Sequence, residues 1–145
     1  MNQISRSFAG PLGLAFALSA SLAGLAGCVD ALDAKSAHDH GKGKIEVYDA
    51  TYDQAWAAAH AAIAWNQVGA VADHPEEHYL LTDPTNNDQV GVWLTAEGDK
   101  TRVNVVVIDD PHLNGPNEEG VQKDIAAAIQ LVKAGQPTDK RPKLP

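Results

Sequence analysis

Cysteine and serine are nearly missing from this chain. Cys28 is the only thiol in 145 residues, and four of the five serines fall within the first 27, leaving Ser36 alone in the rest. A single thiol cannot close a disulfide within the chain or supply the paired thiolates of a structural zinc site. Beyond Cys28 the only residue of the usual serine and cysteine nucleophile types is Ser36, and no glycine-rich phosphate cradle is present. Basic residues are also scarce. Residues 45–135 hold 4 Lys/Arg against 15 Asp/Glu, a net charge of −11, and a surface of that sign disfavours nucleic acid and anionic headgroups as partners. Other basic residues collect at its two ends, Lys35, Lys42 and Lys44 before it and Lys140, Arg141 and Lys143 after it.

What the first residues do contain is a sorting pattern. Arg6 is the only charge in residues 1–27, and an apolar run follows from Leu12 to Ala26. That run is shorter than the ~20 apolar residues a bilayer span needs, so it reads as a secretory signal. Leu25-Ala26-Gly27-Cys28 resembles the lipobox of bacterial lipoproteins. The resemblance implies thioether lipidation of Cys28, cleavage before it and acylation of the new N-terminus. The plain alternative is an ordinary signal cut near Ala26, with Cys28 a stray thiol. The placement of the only cysteine favours the lipoprotein, and several acyl chains on one cysteine anchor far better than one. Val29, rather than Asp, after the cysteine resembles outer-membrane sorting, with the inner membrane as the other possibility.

Composition divides the rest. Residues 28–43, VDALDAKSAHDHGKG after the cysteine, read as a lipidated N-terminus and flexible tether. Residues 44–135 form one α+β domain, and residues 136–145, with three prolines, an irregular tail. Within the domain, Ile45–Tyr48 alternates as a strand. Thr51-Tyr52-Asp53-Gln54 has the form of a capping box and opens an alanine-rich helix to about Gln67, ended by Gly69. Its expected buried stripe is Tyr52, Ala55, Trp56, Ala59, Ala62 and Ile63. Short β segments follow at 70–72, 79–82, 89–95 and 101–108. A second helix then starts at the cap Asn117, with Val121, Ile125, Ala128, Ile129 and Val132 along one stripe and Gly135 at its end.

The register of the last two strands can be read from chemistry. With Gly98-Asp99 as a two-residue loop, Glu97 faces Lys100, Leu94 faces Val103, Val92 faces Val105 and Val90 faces Val107. The other face pairs Thr95 with Arg102, Trp93 with Asn104, Gly91 with Val106 and Gln89 with Ile108. A slip by one residue would scramble this sorting. The order β-α-β-β-β-β-α with hairpin links predicts a mostly antiparallel sheet with two helices packed on one face.

The run VYDATYDQAWAAAHAAIAWNQVGAVADHPEEHYLLTD resembles the opening of helix-grip domains in small bacterial envelope lipoproteins. These include the C subunit of the outer-membrane β-barrel assembly machine and other single-domain families. Tyr52, Asp53 and Trp56 carry the aromatic-Asp-x-x-Trp start, and Asp73 the acidic turn before a strand. The resemblance covers about residues 45–135 and implies an architecture and a lipoprotein habit, with no catalytic residues to carry over.

Several constellations invite a chemical reading. His74-Pro-Glu-Glu-His78 fits H-x-x-E-H, an inverted zinc-peptidase motif. Two imidazoles four apart share an ion only on a helix, with a third ligand from elsewhere. Pro75 fits only the first turn of such a helix, which would have to consume the strand at 79–82, so the segment reads as a turn. A metal-binding protein or metal-dependent hydrolase using His74 and His78 is the alternative. His38-Asp39-His40 is a second histidine tract, placed in the tether. Asp83–Asp88 is oxygen-rich but lacks the glycine and glutamate of a calcium loop. Asp109-Asp110 reads as a solvated pair, and neither His60 nor His112 has an evident partner. The apolar residues Trp93, Val106 and Ile108, on the hairpin face away from the two helices, form a candidate partner-binding patch if no helix covers them. Otherwise Trp93 merely shields Gly91. Trp65, off the main stripe of its helix, has the same two readings. The expectation is a non-catalytic binding or assembly module: lipid-anchored in the membrane, domain in the periplasm, an envelope protein as partner, no cofactor.

Overall fold

A computed structural model describes residues 33–84, 88–108 and 115–143. The elements run α1 (Ala34–Asp39), β1 (Lys44–Tyr48), α2 (Tyr52–Asn66), β2 (Val71–His74), a 3-10 turn (Pro75–Glu77), β3 (Tyr79–Thr82), β4 (Gln89–Glu97), β5 (Lys100–Ile108) and α3 (Glu118–Lys133). All five strands join one antiparallel sheet in the order β1-β5-β4-β3-β2. The fold is α+β, as the hairpin links require. The β4–β5 pairing follows the expected register at every position, from Glu97 opposite Lys100 to Gln89 opposite Ile108.

Two helices cover one face of the sheet. Val90, Val92, Leu94, Val103 and Val105 point into a core with Ala55, Ala58, Ala59, Ala62 and Ile63 of α2 and Val121, Ile125, Ala128 and Ile129 of α3. The capping box of α2 forms as read, with Gln54 N–H donating to Thr51 Oγ1 and Thr51 N–H to Gln54 Oε1. Ala58 and Ala61 are buried beyond the expected stripe, while Tyr52 and Trp56 are only half-buried. The reason is that α2 packs against α3 as well as the sheet, and alanine on two flanks lets both neighbours approach. Gln67, not Gly69, takes the left-handed conformation that stops this helix, at φ 54°.

Polar side chains fasten α3 to the sheet. Gln122 is buried, and its Nε2 donates to the carbonyls of Lys44 (2.7 Å) and Val103 (3.2 Å). Its Oε1 accepts from the Tyr48 hydroxyl at 2.6 Å. Burial, reinforced by a hydrogen bond to Glu46, raises the Tyr48 pKa well above the usual phenol range. Residues 136–143 have no regular structure, in keeping with their prolines, yet they lie along the helices. Trp65 Nε1 donates to Thr138 O (2.9 Å), and Arg141 pairs with Asp124.

The second face of the sheet departs from expectation. Part of the stretch read as a flexible tether forms α1, and α1 lies on β4 and β5. Asp33 caps it by accepting from Ser36 N (2.6 Å), and Ala34 N donates to Gln89 Oε1 (2.7 Å). Ala34 and Ala37 are buried against Val106, with Leu81, Trp93 and Ile108 packed around them. Six residues cannot hold a helix alone in water, so α1 owes its order to this docking.

Candidate functional site

The structure places the sequence-derived candidates in three settings. Cys28 lies outside the described residues, as do Asp109, Asp110 and His112. The patch Trp93, Val106 and Ile108 is where the register put it, but it is not open. α1 covers it: Val106 is 1% exposed, and Ile108 and Trp93 are half-buried. The expectation of an exposed partner site there is corrected. The physical cause is the pair of alanines one helical turn apart, whose small side chains bring a helix down onto the sheet. Trp93 also shields its neighbour, since a Cβ on Gly91 would collide with the indole.

The 74–78 segment is a turn between extended strands. Pro75–Glu77 make one 3-10 turn, and His78 leaves it in the left-handed conformation at φ 61°. The two imidazoles consequently enter different layers. His74 stacks on Tyr79 (ring centroids 4.3 Å apart), and Tyr79 stacks on Trp93 (5.6 Å), which stacks in turn on His38 of α1 (4.0 Å). These four rings form a continuous row across the α1 face. His78 points the other way, with its Nδ1 3.2 Å from the Tyr52 hydroxyl. A second row runs from it over α2: His78, Tyr52, Trp56 and His60, with neighbouring centroids 5.6 to 6.0 Å apart. His60 Nε2 ends that row 3.2 Å from Asp73 Oδ2, so His60 has a partner that spacing did not reveal.

A shallow depression of about 250 Å³ lies over the turn, lined by Asp73, His74, Pro75, Glu76 and Glu77. It is smaller than the clefts that bury a drug-sized ligand. Among the described residues, no three His, Cys, Asp or Glu side chains converge as ligands for one ion.

His38 was placed in the tether and instead belongs to the packed row. Its Nδ1 sits 3.8 Å from Asp39 Oδ1, beyond hydrogen-bond reach. Burial lowers the pKa of this imidazole; Asp39 opposes the shift, and Lys35 adds to it. His40 Nδ1 lies 2.7 Å from Ser36 O and closes the helix end.

One surface feature was missed by sequence reasoning. Ile45 and Val47 are 53% and 48% exposed on β1, an edge strand with no neighbour on its outer side among the described residues. Ile45 faces Asn104 and Val47 faces Arg102, which puts both on the α1 face, beyond the area α1 covers. Alternation in Ile45-Glu46-Val47-Tyr48 carried the necessary signal. It needed only the pairing of β1 with β5 to show which side looked outward.

No protein-family description, curated protein or solved structure matches this chain. The likeness to helix-grip envelope domains therefore stands on the residues quoted for it. No helix among the described residues is long and apolar enough to cross a membrane.

Proposed function

We propose that this protein is a lipid-anchored envelope lipoprotein whose domain, on the periplasmic side of the outer membrane, is a non-catalytic binding or assembly module. The observation that carries the reading is the sequence Leu25-Ala26-Gly27-Cys28, which holds the chain's only cysteine at the position acylation requires. The rest of the molecule is compatible in kind. His38 and His74 on one layer and His60 and His78 on the other are occupied with aromatic neighbours, and serine is confined to Ser36 beyond the signal.

The surface best suited to a partner is the edge of β1 with Ile45 and Val47. An extended segment added there would gain main-chain hydrogen bonds, and the two exposed side chains would supply apolar contact. An envelope protein presenting an extended strand fits this edge better than it fits the covered Trp93 patch.

Two measurements test the reading. Cys28→Ala should move the protein from the membrane fraction to the soluble fraction; continued membrane association would overturn anchoring by acylation. A photo-crosslinking residue at Ile45 or Val47 should capture a discrete envelope protein in cells, whereas one at the hairpin residue Asp99 should not. Capture from Asp99 alone would remove the β1 edge as the binding surface.

A further inference from the structure

The docking of α1 changes how far the domain can stand from an anchor at Cys28. If residues 28–43 were all loose, sixteen peptide steps would separate Cys28 from Lys44, a reach of ~58 Å at ~3.6 Å per residue. Asp33 is instead fixed as the cap of α1, and Ala34 is held by Gln89. Only five steps remain between Cys28 and Asp33, a reach of at most ~18 Å. The strand that receives α1 is nine residues long, ~30 Å from end to end. The chain from Cys28 to Asp33 is thus shorter, even fully extended, than the sheet is long, and Asp33 sits at one end of the sheet.

That end is well defined. Gln89 faces Ile108 across β4 and β5, and Val71 faces Thr82 across β2 and β3. Asp83 N–H donates to Ala70 O at the same end, and α2 finishes there in Asn66, which bonds Asp124. The β4–β5 turn at Gly98-Asp99 lies at the opposite end, with the start of α2. The 74–78 turn also points toward that end, since Leu94 N–H donates to His78 O.

We propose that α1 acts as a docked spacer that holds the Gln89–Ile108 end of the domain against the bilayer surface and turns the Gly98-Asp99 end toward the periplasm. This inference rests on the anchored reading given above. Its partner is the lipid surface itself, chosen by the length of free chain and by the point where that chain meets the sheet. With α1 undocked, the same domain would gain roughly threefold in reach and lose any fixed orientation.

The test uses the acylated protein in zwitterionic phosphatidylethanolamine–phosphatidylcholine vesicles that carry a nitroxide quencher on a fraction of headgroups. Because Cys28 is blocked by acylation, a thiol introduced by Ala70→Cys or Asp99→Cys can be labelled with a fluorophore at one site. The Ala70 position should be quenched at least twofold more strongly than the Asp99 position. Ala37→Asp, which puts a carboxylate under α1 and outside the main core, should abolish the difference. His38→Ala serves as a milder second variant. Equal quenching at the two positions in the unmodified background would overturn the orientation while leaving the anchor in place. A difference that survives both variants would show that α1 is not the spacer. A membrane-purified protein whose mass shows no acyl chains on Cys28 would overturn the anchor reading and this inference with it.

Discussion

Asp124 shows how a residue that looks like surface in the sequence becomes structural. It has no solvent-exposed area, and each of its oxygens is taken, Oδ1 by Arg141 and Oδ2 by the Asn66 amide, both at 2.8 Å. Arg141 remains half-exposed, so it can return to water at little cost if its partner is lost, whereas Asp124 cannot. Arg141→Ala should therefore destabilise the fold by about 2 kcal/mol, seen as a fall of about 1 M in the urea midpoint. A midpoint unchanged within error would mean that the tail adds nothing. Nothing in α3 marked Asp124 as buried: it lies next to the apolar position Ile125, and its partners come from 58 and 17 residues away in the chain. His38 supports a second residue-scale prediction. Its pKa is lower in the folded state than in the unfolded one, so the unfolded chain binds the extra proton. Its contribution to docking is present above the ordinary value of 6.5 and is lost as pH falls through the folded value. Trp93 emission should shift to the red as pH drops below about 6.5, and His38→Phe should remove that shift while keeping the stack. A shift that persists in His38→Phe would assign the effect to another group.

At the scale of elements, the hairpin and α1 mark two extremes of legibility. The pairing of β4 with β5 was readable because an apolar face repeated every second residue and a two-residue turn fixed the register. α1 was not readable because six residues give fewer than two helical turns, and its apolar contacts come from alanines that blend into a polar stretch. Asp33 and Ser36 do hold the spacing of a cap, but a cap without a following periodicity does not identify a helix. The cover over Trp93, Val106 and Ile108 was unreadable for the same reason, since it comes from a segment with the composition of a tether. The aromatic rows were out of reach too: four rings from four separate elements meet on the α1 face through tertiary packing. Gly43 joins α1 to the edge strand at φ 109°, where an added Cβ would press on the Val105 carbonyl and the Val106 side chain at 2.7 Å. Gly43→Ala combines a strained backbone with this clash, and a loss of about 2 kcal/mol in thermal or urea unfolding is expected. Gly98→Ala meets open space at φ 69°, so it should lose only about 1 kcal/mol, from backbone strain alone.

For the whole molecule, the balance of charge and the free edge of β1 act together. A net charge of −8 opposes contact between copies, whereas Ile45 and Val47 on an open edge favour it. Raising salt screens the repulsion over about 8 Å at 0.15 M, so self-association measured by sedimentation should grow with ionic strength. Ile45→Lys with Val47→Lys should suppress that growth. Salt-dependent association that survives the double variant would place the contact elsewhere.

Asp33 and the tail around Arg141 lie on opposite faces of the sheet but near the same end of it, Asp33 by Gln89 and Arg141 by Asp124 and Asn66. Under the anchored reading proposed above, a reporter fused behind residue 145 would compete for space with the anchor. The loop at Gly98-Asp99, whose glycine has nothing within 4 Å of an added Cβ, is the place to splice an epitope. An antibody raised to it would read out the orientation proposed above.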